Sequence, residues 1–420
     1  MVGWIVAALR EAGVDDIVVV VHHQEEAVMS ALRDGGVRFV RQESPKGTGD
    51  ALRCALAQLP ARGPVLVTAG DTPLLQASDI RRLLDAHAAS PGRLATVASF
   101  HAQDPAGYGR IDRGAGIVEH AECSPAQLAI QEVNSGLYAF EAEYLHAEVR
   151  NLAAHPPKGE YYVTDLAGRL DGGITGVASG FPASAFAGVN DKAQLADARA
   201  VLRRRVNRAW AEIGVDFADL DYASVDAAAV LLPGASVGFG AVIEGRCTIA
   251  GTVGPHCVVR NSSVGPGAVI HAGSVCDGAN VASGALVGPM ARLRPGAVLE
   301  EDTHVGNYVE IKNAVIRRGA KANHLSYIGD ADIGEGVNVG AGTITCNYDG
   351  VHKHKTHIAK GAFIGSNTAL VAPVSIGEGA IVGAGSTITQ DVPADAIAIA
   401  RGMQKNHEGR ASQLRARQTR

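Results

Sequence analysis

His324 lies in the run Lys321-Ala322-Asn323-His324-Leu325-Ser326-Tyr327, where an otherwise regular six-residue pattern of aliphatic residues breaks. Histidine titrates near neutral pH, so it is the side chain best suited to take a proton from a nucleophile there. The break in the pattern puts it in a loop or at a corner. Arg294 and Lys312, eighteen residues apart, are the two usual phosphate contacts: a bidentate fork and a point charge. Residues 345–357 (TCNYDGVHKHKTH) form a polar, basic insertion of the kind that builds binding sites on regular scaffolds. His352, His354 and His357 raise the question of a metal. Lys353 and Lys355 between them would repel a dication, and alternate loop residues make poor ligand geometry, so zinc is not expected. Nearer the amino terminus, Gly70-Asp71 follows the apolar run Pro-Val-Leu-Val-Thr at 64–68, which places a carboxylate at a strand end.

The pattern that His324 interrupts identifies the element that must position it. Aliphatic residues recur every six positions at Val281, Val287, Leu293, Leu299, Val305 and Ile311. They recur again at Ile358, Ile364, Leu370, Ile376, Val382 and Ile388, and earlier at Val237, Ile243 and Ile249. A period of six is neither helical nor a simple strand alternation. It describes a solenoid whose short flat faces end in tight corners, with the aliphatic residue pointing inward and a small residue easing the turn. The period predicts a left-handed parallel β-helix. Three faces make a coil of about eighteen residues, so 230–390 gives roughly eight or nine coils. At the inter-strand spacing that is a rod on the order of 40 Å long. Arg294 and Lys312 are then one coil apart and stack on one edge.

The part before the solenoid alternates helix and strand. Ile5, Val6, Leu9 and Val14 fit one helical face, and residues 16–21 form a strand. A helix is expected near 24–34, a strand at 37–40, a helix over 49–59 and a buried strand at 64–68. Such alternation predicts an α/β unit with a largely parallel sheet and ligands at the carboxyl ends of its strands. Residues 191–213 have helical periodicity and join the two parts. The chain opens on a helix, with no buried strand and glycine-rich turn before it of the kind that cradles phosphate. A sheet missing that strand leaves backbone groups unpaired, so the natural start of the domain is expected upstream of Met1.

The 51 glycines and 5% aromatic content suit a narrow prism with little room for rings. A net charge of −5 disfavours nucleic acid as a partner. The basic end (Arg410, Arg415, Arg417, Arg420) reads as a solvated tail. Cysteines 54, 123, 247, 257, 276 and 346 have no CxxC spacing and read as reduced thiols. No apolar run has membrane-spanning length, and the opening MVGWIVAALREAG lacks a basic segment before its apolar run, so it is not a signal peptide. A cytoplasmic location is expected.

Several motifs occur in a fixed order: Gln42 with Gly47-Thr48-Gly49, Ala69-Gly70-Asp71, Gly107-Tyr108-Gly109-Arg110-Ile111, Ile117-Val118-Glu119-His120, Asn134-Ser135-Gly136, Gly159-Glu160-Tyr161-Tyr162-Val163-Thr164-Asp165 and Gly188-Val189-Asn190. The solenoid adds Arg292-Leu293-Arg294-Pro295-Gly296, His304-Val305-Gly306-Asn307-Tyr308-Val309-Glu310-Ile311-Lys312, His324-Leu325-Ser326-Tyr327 and Gly340-Ala341-Gly342-Thr343. Over essentially its whole length the chain resembles the bacterial family of bifunctional N-acetylglucosamine-1-phosphate uridyltransferases and glucosamine-1-phosphate N-acetyltransferases, enzymes of cell-wall precursor synthesis. The family's first segment, its Gly-rich loop with the following arginine and lysine, is missing.

The resemblance implies an α/β nucleotidyltransferase-like (Rossmann-like) domain at 1–190 that lacks its first strand, a linker helix at 191–221 and a left-handed β-helix acetyltransferase domain of hexapeptide repeats at 222–420. It makes His324 the general base of acetyl transfer. Arg294, Lys312, Tyr327 and Asn338 contact glucosamine 1-phosphate, and Ala341, Asn347, Tyr348, Ser366, Ala384 and Arg401 contact acetyl-CoA. For uridylyl transfer from UTP it implies Gln42, Gly47, Thr48, Ala69 and Gly70 at the nucleotide, and Gly109, Glu119 and Asn134 at the amino sugar. Asp71 and Asn190 would hold Mg2+. Without the Gly-rich loop the charge on the transferring phosphate lacks its main cradle, so uridylyl transfer is expected to be weak or absent. The fold implies a homotrimer. A monofunctional acetyltransferase with a degenerate first domain and a non-catalytic sugar-nucleotide-binding scaffold are the alternatives; His324 with Arg294 and Lys312 argues against the scaffold.

Overall fold

The computed structural model describes residues 1–168 and 175–418; Arg420 of the basic tail lies outside them. The chain divides into two compact units, Met1–Val201 and Leu202–Arg420, with the division inside one long helix.

In the first unit α1 (Val2–Glu11) buries Ile5, Val6, Ala8 and Leu9 on one face, as the apolar spacing predicts. There follow β1 (Val18–Val21), α2 (Glu25–Ala31), β2 (Arg38–Arg41), α3 (Thr48–Ala55) and β3 (Pro64–Thr68). After them come α4 (Ala77–Ala88), β4 (Ala95–His101), the short pair β5 (Arg110–Asp112) and β6 (Gly116–Val118), α5 (Pro125–Leu128), β7 (Glu132–Glu141), α6 (Ala142–Glu148) and β8 (Thr175–Ala178). The expectation of a largely parallel sheet is corrected here. The long strand β7 runs antiparallel to β3, β4 and β5, β5 pairs antiparallel with β6, and only β8 joins β4 in parallel. β1 and β2 pair in parallel as a separate two-stranded sheet.

Among the described strands β1 pairs only with β2, and β3 only with β7. Burial follows the pairing. Leu137, Ala139 and Phe140 on β7 and Ala95, Val97 and Ala98 on β4 are fully buried, whereas Val18, Val19 and Val20 on β1 and Leu66 and Val67 on β3 are half-exposed.

The second unit begins within α7 (Lys192–Glu212), whose Val206 and Trp210 pack on the solenoid core. The solenoid is a left-handed parallel β-helix with three flat faces, ten, nine and eleven strands deep. It is somewhat longer than the hexad pattern predicts, since the third face starts at Asp216–Phe217 and ends at Ile397–Ala398. Every aliphatic residue of the six-residue pattern is buried in one continuous core. Neighbouring coils align them, with Leu293 beside Ile311 and Ile311 beside Ile328 on the first face. Three small inward side chains per coil leave a prism too narrow for rings, and no aromatic residue is among its buried members. The step from Ile333 to its partner Ile358 spans twenty-five residues, because the insertion leaves the solenoid between the first and second faces.

Candidate active sites

His324 is the last residue of the third-face strand Lys321–His324 and is exposed. The next residue, Leu325, has φ +49° and turns the corner; Tyr327 then opens the first-face strand Tyr327–Gly329. His324 is therefore a corner residue, as the broken pattern implies. On the preceding coil Asn307 lies in register with it, and His324 Nδ1–H donates to Asn307 Oδ1 at 3.0 Å. With Nδ1 engaged in this way, the lone pair of Nε2 is left for a proton.

Arg294 and Lys312 stack at the far edge of the first face, one coil apart, because Leu293 and Ile311 beside them are paired. Arg294 donates to Glu310 at 2.8 Å. Lys353 returns from the insertion to meet Lys312, whose contact and charge hold its ammonium below the usual lysine value. Asp330 completes the cluster. Burial opposes its charge, but hydrogen bonds from Asn313 and Asn347, helped by Lys312 and Lys353, hold it below the usual carboxylate range. Tyr327 lies flat along the face: a Cβ on Gly329 would stand 2.4 Å from its hydroxyl oxygen, so only glycine leaves it room. Asn347 Nδ2 sits 3.5 Å from the same hydroxyl. Between Tyr327 and Gly329 the face is about 7 Å wide, close to the size of one sugar ring.

Of the residues expected at acetyl-CoA, Ala341, Ser366 and Ala384 form a ridge continuing from His324, one per coil, whereas Asn347 lies at the opposite edge of the first face, bonded to Asp330. Gly342 N–H donates to the His324 carbonyl (3.3 Å), Asn367 N–H to Ala341 (2.7 Å) and Gly385 N–H to Ser366 (2.8 Å). Arg401 caps the series by donating to the Ala384 carbonyl at 2.5 Å. From His324 to Ala384 is three coils, about 14 Å, room for an extended pantetheine arm. Tyr348 is exposed on the insertion. Asn338 is the member not brought in: it sits mid-face, in register with Lys321 and Phe363. His354 bonds Asp349 at 2.8 Å, and His357 stands on a second-face strand, paired in register with Asp332 and Ser375.

In the first unit the expected residues form three groups. Gln42 donates to Asp50 (2.8 Å) and to the Gly47 carbonyl (3.3 Å). Gly47 has φ +93°, and a Cβ there would lie 2.4 Å from the Tyr161 carbonyl oxygen. Thr48 Oγ1 accepts from Val163 N–H at 3.1 Å, so the 161–163 segment lies against this loop. In the second group Gly109 and Asn134 are joined by a backbone hydrogen bond of 2.8 Å. A Cβ on Gly109 would lie 3.7 Å from Glu119 Oε2, while Glu119 Oε1 accepts from Thr164 at 2.9 Å. Burial pushes the Glu119 carboxyl pKa up. In the third group Asp71, Asn190 and Gly188 converge: a Cβ on Gly188 would be 3.8 Å from Asp71 Oδ2 and 3.7 Å from the Asn190 side chain. Ala69 and Gly70 lead from β3 into this site, and Gly70 borders open space. One carboxylate and one amide are hard donors of the kind Mg2+ takes when phosphate and water complete its shell. Among the described residues no cluster of three or more His, Cys, Asp or Glu is placed to hold a metal.

Comparison with known proteins agrees with the fold. A profile of the MobA-like NTP transferase domain matches residues 1–170, and one of the bacterial transferase hexapeptide (six repeats) matches 355–390. Over 427 residues the chain is 45% identical to the bifunctional protein GlmU of Trichlorobacter lovleyi, covering 97% of this chain and 91% of that protein. The GlmU proteins of Sorangium cellulosum and Shouchella clausii are each 41% identical, over 99% and 97% of this chain and 91% of their own lengths. The chain belongs to the GlmU family. Within that family frame, reading residues one by one missed Asn307, Gly329, Asp330, Lys353 and Thr164. Asn307 and Gly329 could have been found by counting one coil back from His324 and two residues on from Tyr327. Lys353 could not, because its place depends on the path of the insertion.

Proposed function

We propose that this chain makes UDP-N-acetylglucosamine in two reactions. The solenoid transfers acetyl from acetyl-CoA to the amine of glucosamine 1-phosphate. The first unit then joins the product to the uridylyl group of UTP with Mg2+ and releases pyrophosphate. The observation that carries this reading is the first face of the solenoid: a cluster of Arg294, Lys312 and Lys353 at one edge and His324 at the opposite corner. The cations take the sugar phosphate, and Tyr327 lies under the ring. The amine attacks the thioester carbonyl, His324 Nε2 takes its proton, and the C–S bond breaks with CoA as the leaving thiolate. Asn307 supports this role by accepting from Nδ1–H.

Gln42, Gly47, Thr48, Ala69 and Gly70 would face the nucleotide, and Gly109, Glu119 and Asn134 the amino sugar. Asp71 and Asn190 would hold Mg2+, which neutralises charge on the phosphates when bound. The functional division proposed is 1–190, a joining segment at 191–221, and 222–420. Tyr222, Met290, Tyr308 and Leu325 are exposed apolar residues of the solenoid, and a homotrimer that covers them is the proposed assembly. No described helix is long and apolar enough to cross a membrane, and the cytoplasm, with its acetyl-CoA and UTP, is the proposed site of action.

Two assays on the intact chain test the reading. One follows CoA release with glucosamine 1-phosphate; the other follows pyrophosphate release from UTP with N-acetylglucosamine 1-phosphate. CoA release without sugar dependence would sink the acetyltransferase assignment. Brisk pyrophosphate release would overturn the expectation of weak uridylyl transfer.

A further inference from the structure

His155 is not part of any motif used so far, yet its ring bridges two carboxylates. Nδ1 lies 3.0 Å from Glu122 Oε1, and Nε2 lies 2.9 Å from Asp165 Oδ2. The ring packs on Tyr162 with centroids 4.7 Å apart. The two carboxylates sit beside the contact that fixes Glu119. Glu122 ends the turn His120–Glu122 that follows Glu119, and Asp165 is next to Thr164, which donates to Glu119 Oε1. His155 thus ties together the two backbone segments that hold the inner oxygen of Glu119 and leave Oε2 turned toward Gly109.

We infer that His155 is a proton-dependent positioning residue for the amino-sugar side of the uridyltransferase site, closing the Glu119 wall when its imidazole is protonated. This rests on the reading of Gly109, Glu119 and Asn134 as the sugar subsite. An imidazolium donates from both nitrogens and satisfies both carboxylates. A neutral ring has one N–H, so one carboxylate would face a lone pair about 3 Å away and the bridge opens on that side. The groups that face the ring are Glu122, Asp165 and, further in, Glu119. Tyr162 stays protonated because its hydrogen bond to Glu160 raises its pKa. Hydrogen bonding to Asp165 raises the His155 pKa, with burial opposing and Glu122 adding to the rise. For a raised histidine the sign is fixed. The bridge is complete below the ordinary value of about 6.5 and is lost as pH rises through the higher value held in the fold.

The test is calorimetric titration of the full chain with UDP-N-acetylglucosamine, and with UDP as the control lacking the sugar, from about pH 6.5 to about pH 9. The preference for the sugar nucleotide over UDP should fall about threefold to fivefold across that range, the size of an exposed ion pair. His155→Arg, a permanent cation with two donors, should keep the preference high at every pH; His155→Ala should keep it low at every pH. A pH-independent preference in the native chain, or His155→Ala binding like the native chain, overturns the clamp and leaves the sugar subsite standing. No preference for the sugar nucleotide at any pH refutes the subsite itself, and the clamp with it.

Discussion

At the scale of single residues, the account turns on what lies one coil away from His324. Asn307 fixes the ring by accepting from Nδ1–H, so its effect should reach the rate through the histidine rather than through substrate affinity. Asn307→Ala is expected to lower kcat for acetyl transfer about tenfold to a hundredfold with little change in either KM. Asn307→Asp should instead move the acid limb of the pH–rate profile to higher pH, because a carboxylate favours the imidazolium and the base must be neutral to act. A profile unchanged in both variants would show that the contact does not act on the base. Lys353 belongs to binding. Lys353→Ala should raise KM for glucosamine 1-phosphate roughly tenfold and leave KM for acetyl-CoA alone, since a lost charge-assisted contact is worth about 1–3 kcal/mol. An equal rise for both substrates would place Lys353 elsewhere.

At the scale of elements, the solenoid positions this chemistry by repetition, and its tolerance is set by how closely the coils pass. Gly306 sits between Asn307 and the core residue Val305, and a Cβ there would lie 2.0 Å from the Asn323 carbonyl oxygen of the next coil. Gly306→Ala must push apart the strand that carries His324, at a cost of about 1–3 kcal/mol. Denaturant unfolding should show it as a lower midpoint, and acetyl transfer should fall further than stability alone explains. An unchanged midpoint would mean that the coils yield freely.

Much of this element was legible in the sequence. The six-residue pattern names the buried residues of the prism, and the eighteen-residue spacing of Arg294 and Lys312 predicts their stacking. What was not legible depends on chain path over longer range. Glu132–Glu141 offers no local sign that it will run antiparallel between β3 and β4. The pairing is decided by the return of the chain after β5 and β6. Likewise Lys353 reads as a loop charge until the insertion folds it against Lys312.

At the scale of the whole molecule, two units carry two chemistries with different needs. Acetyl transfer uses a histidine and fixed cations. On the proposed reading, uridylyl transfer would need a divalent cation, which Asp71 and Asn190 would help to hold against the phosphates. EDTA should therefore abolish any pyrophosphate release and leave CoA release within about twofold of its starting rate, with Mg2+ restoring the first. Loss of both activities would contradict the separation of sites. The same logic orders the features of the first unit. The motifs name the candidate residues that the fold gathers into three groups, whereas the separate pairing of β1 with β2 and the antiparallel pairing of β3 with β7 had no local sign.

The measurement that bears most directly on the central claim is CoA release by His324→Ala beside the native chain, with pyrophosphate release followed in parallel. The account predicts that acetyl transfer falls by about 10²–10⁴ while pyrophosphate release, whatever its level, is unchanged. Acetyl transfer at the native rate in His324→Ala would contradict the assignment of the base and, with it, the reading of the first face as the site of acetyl transfer.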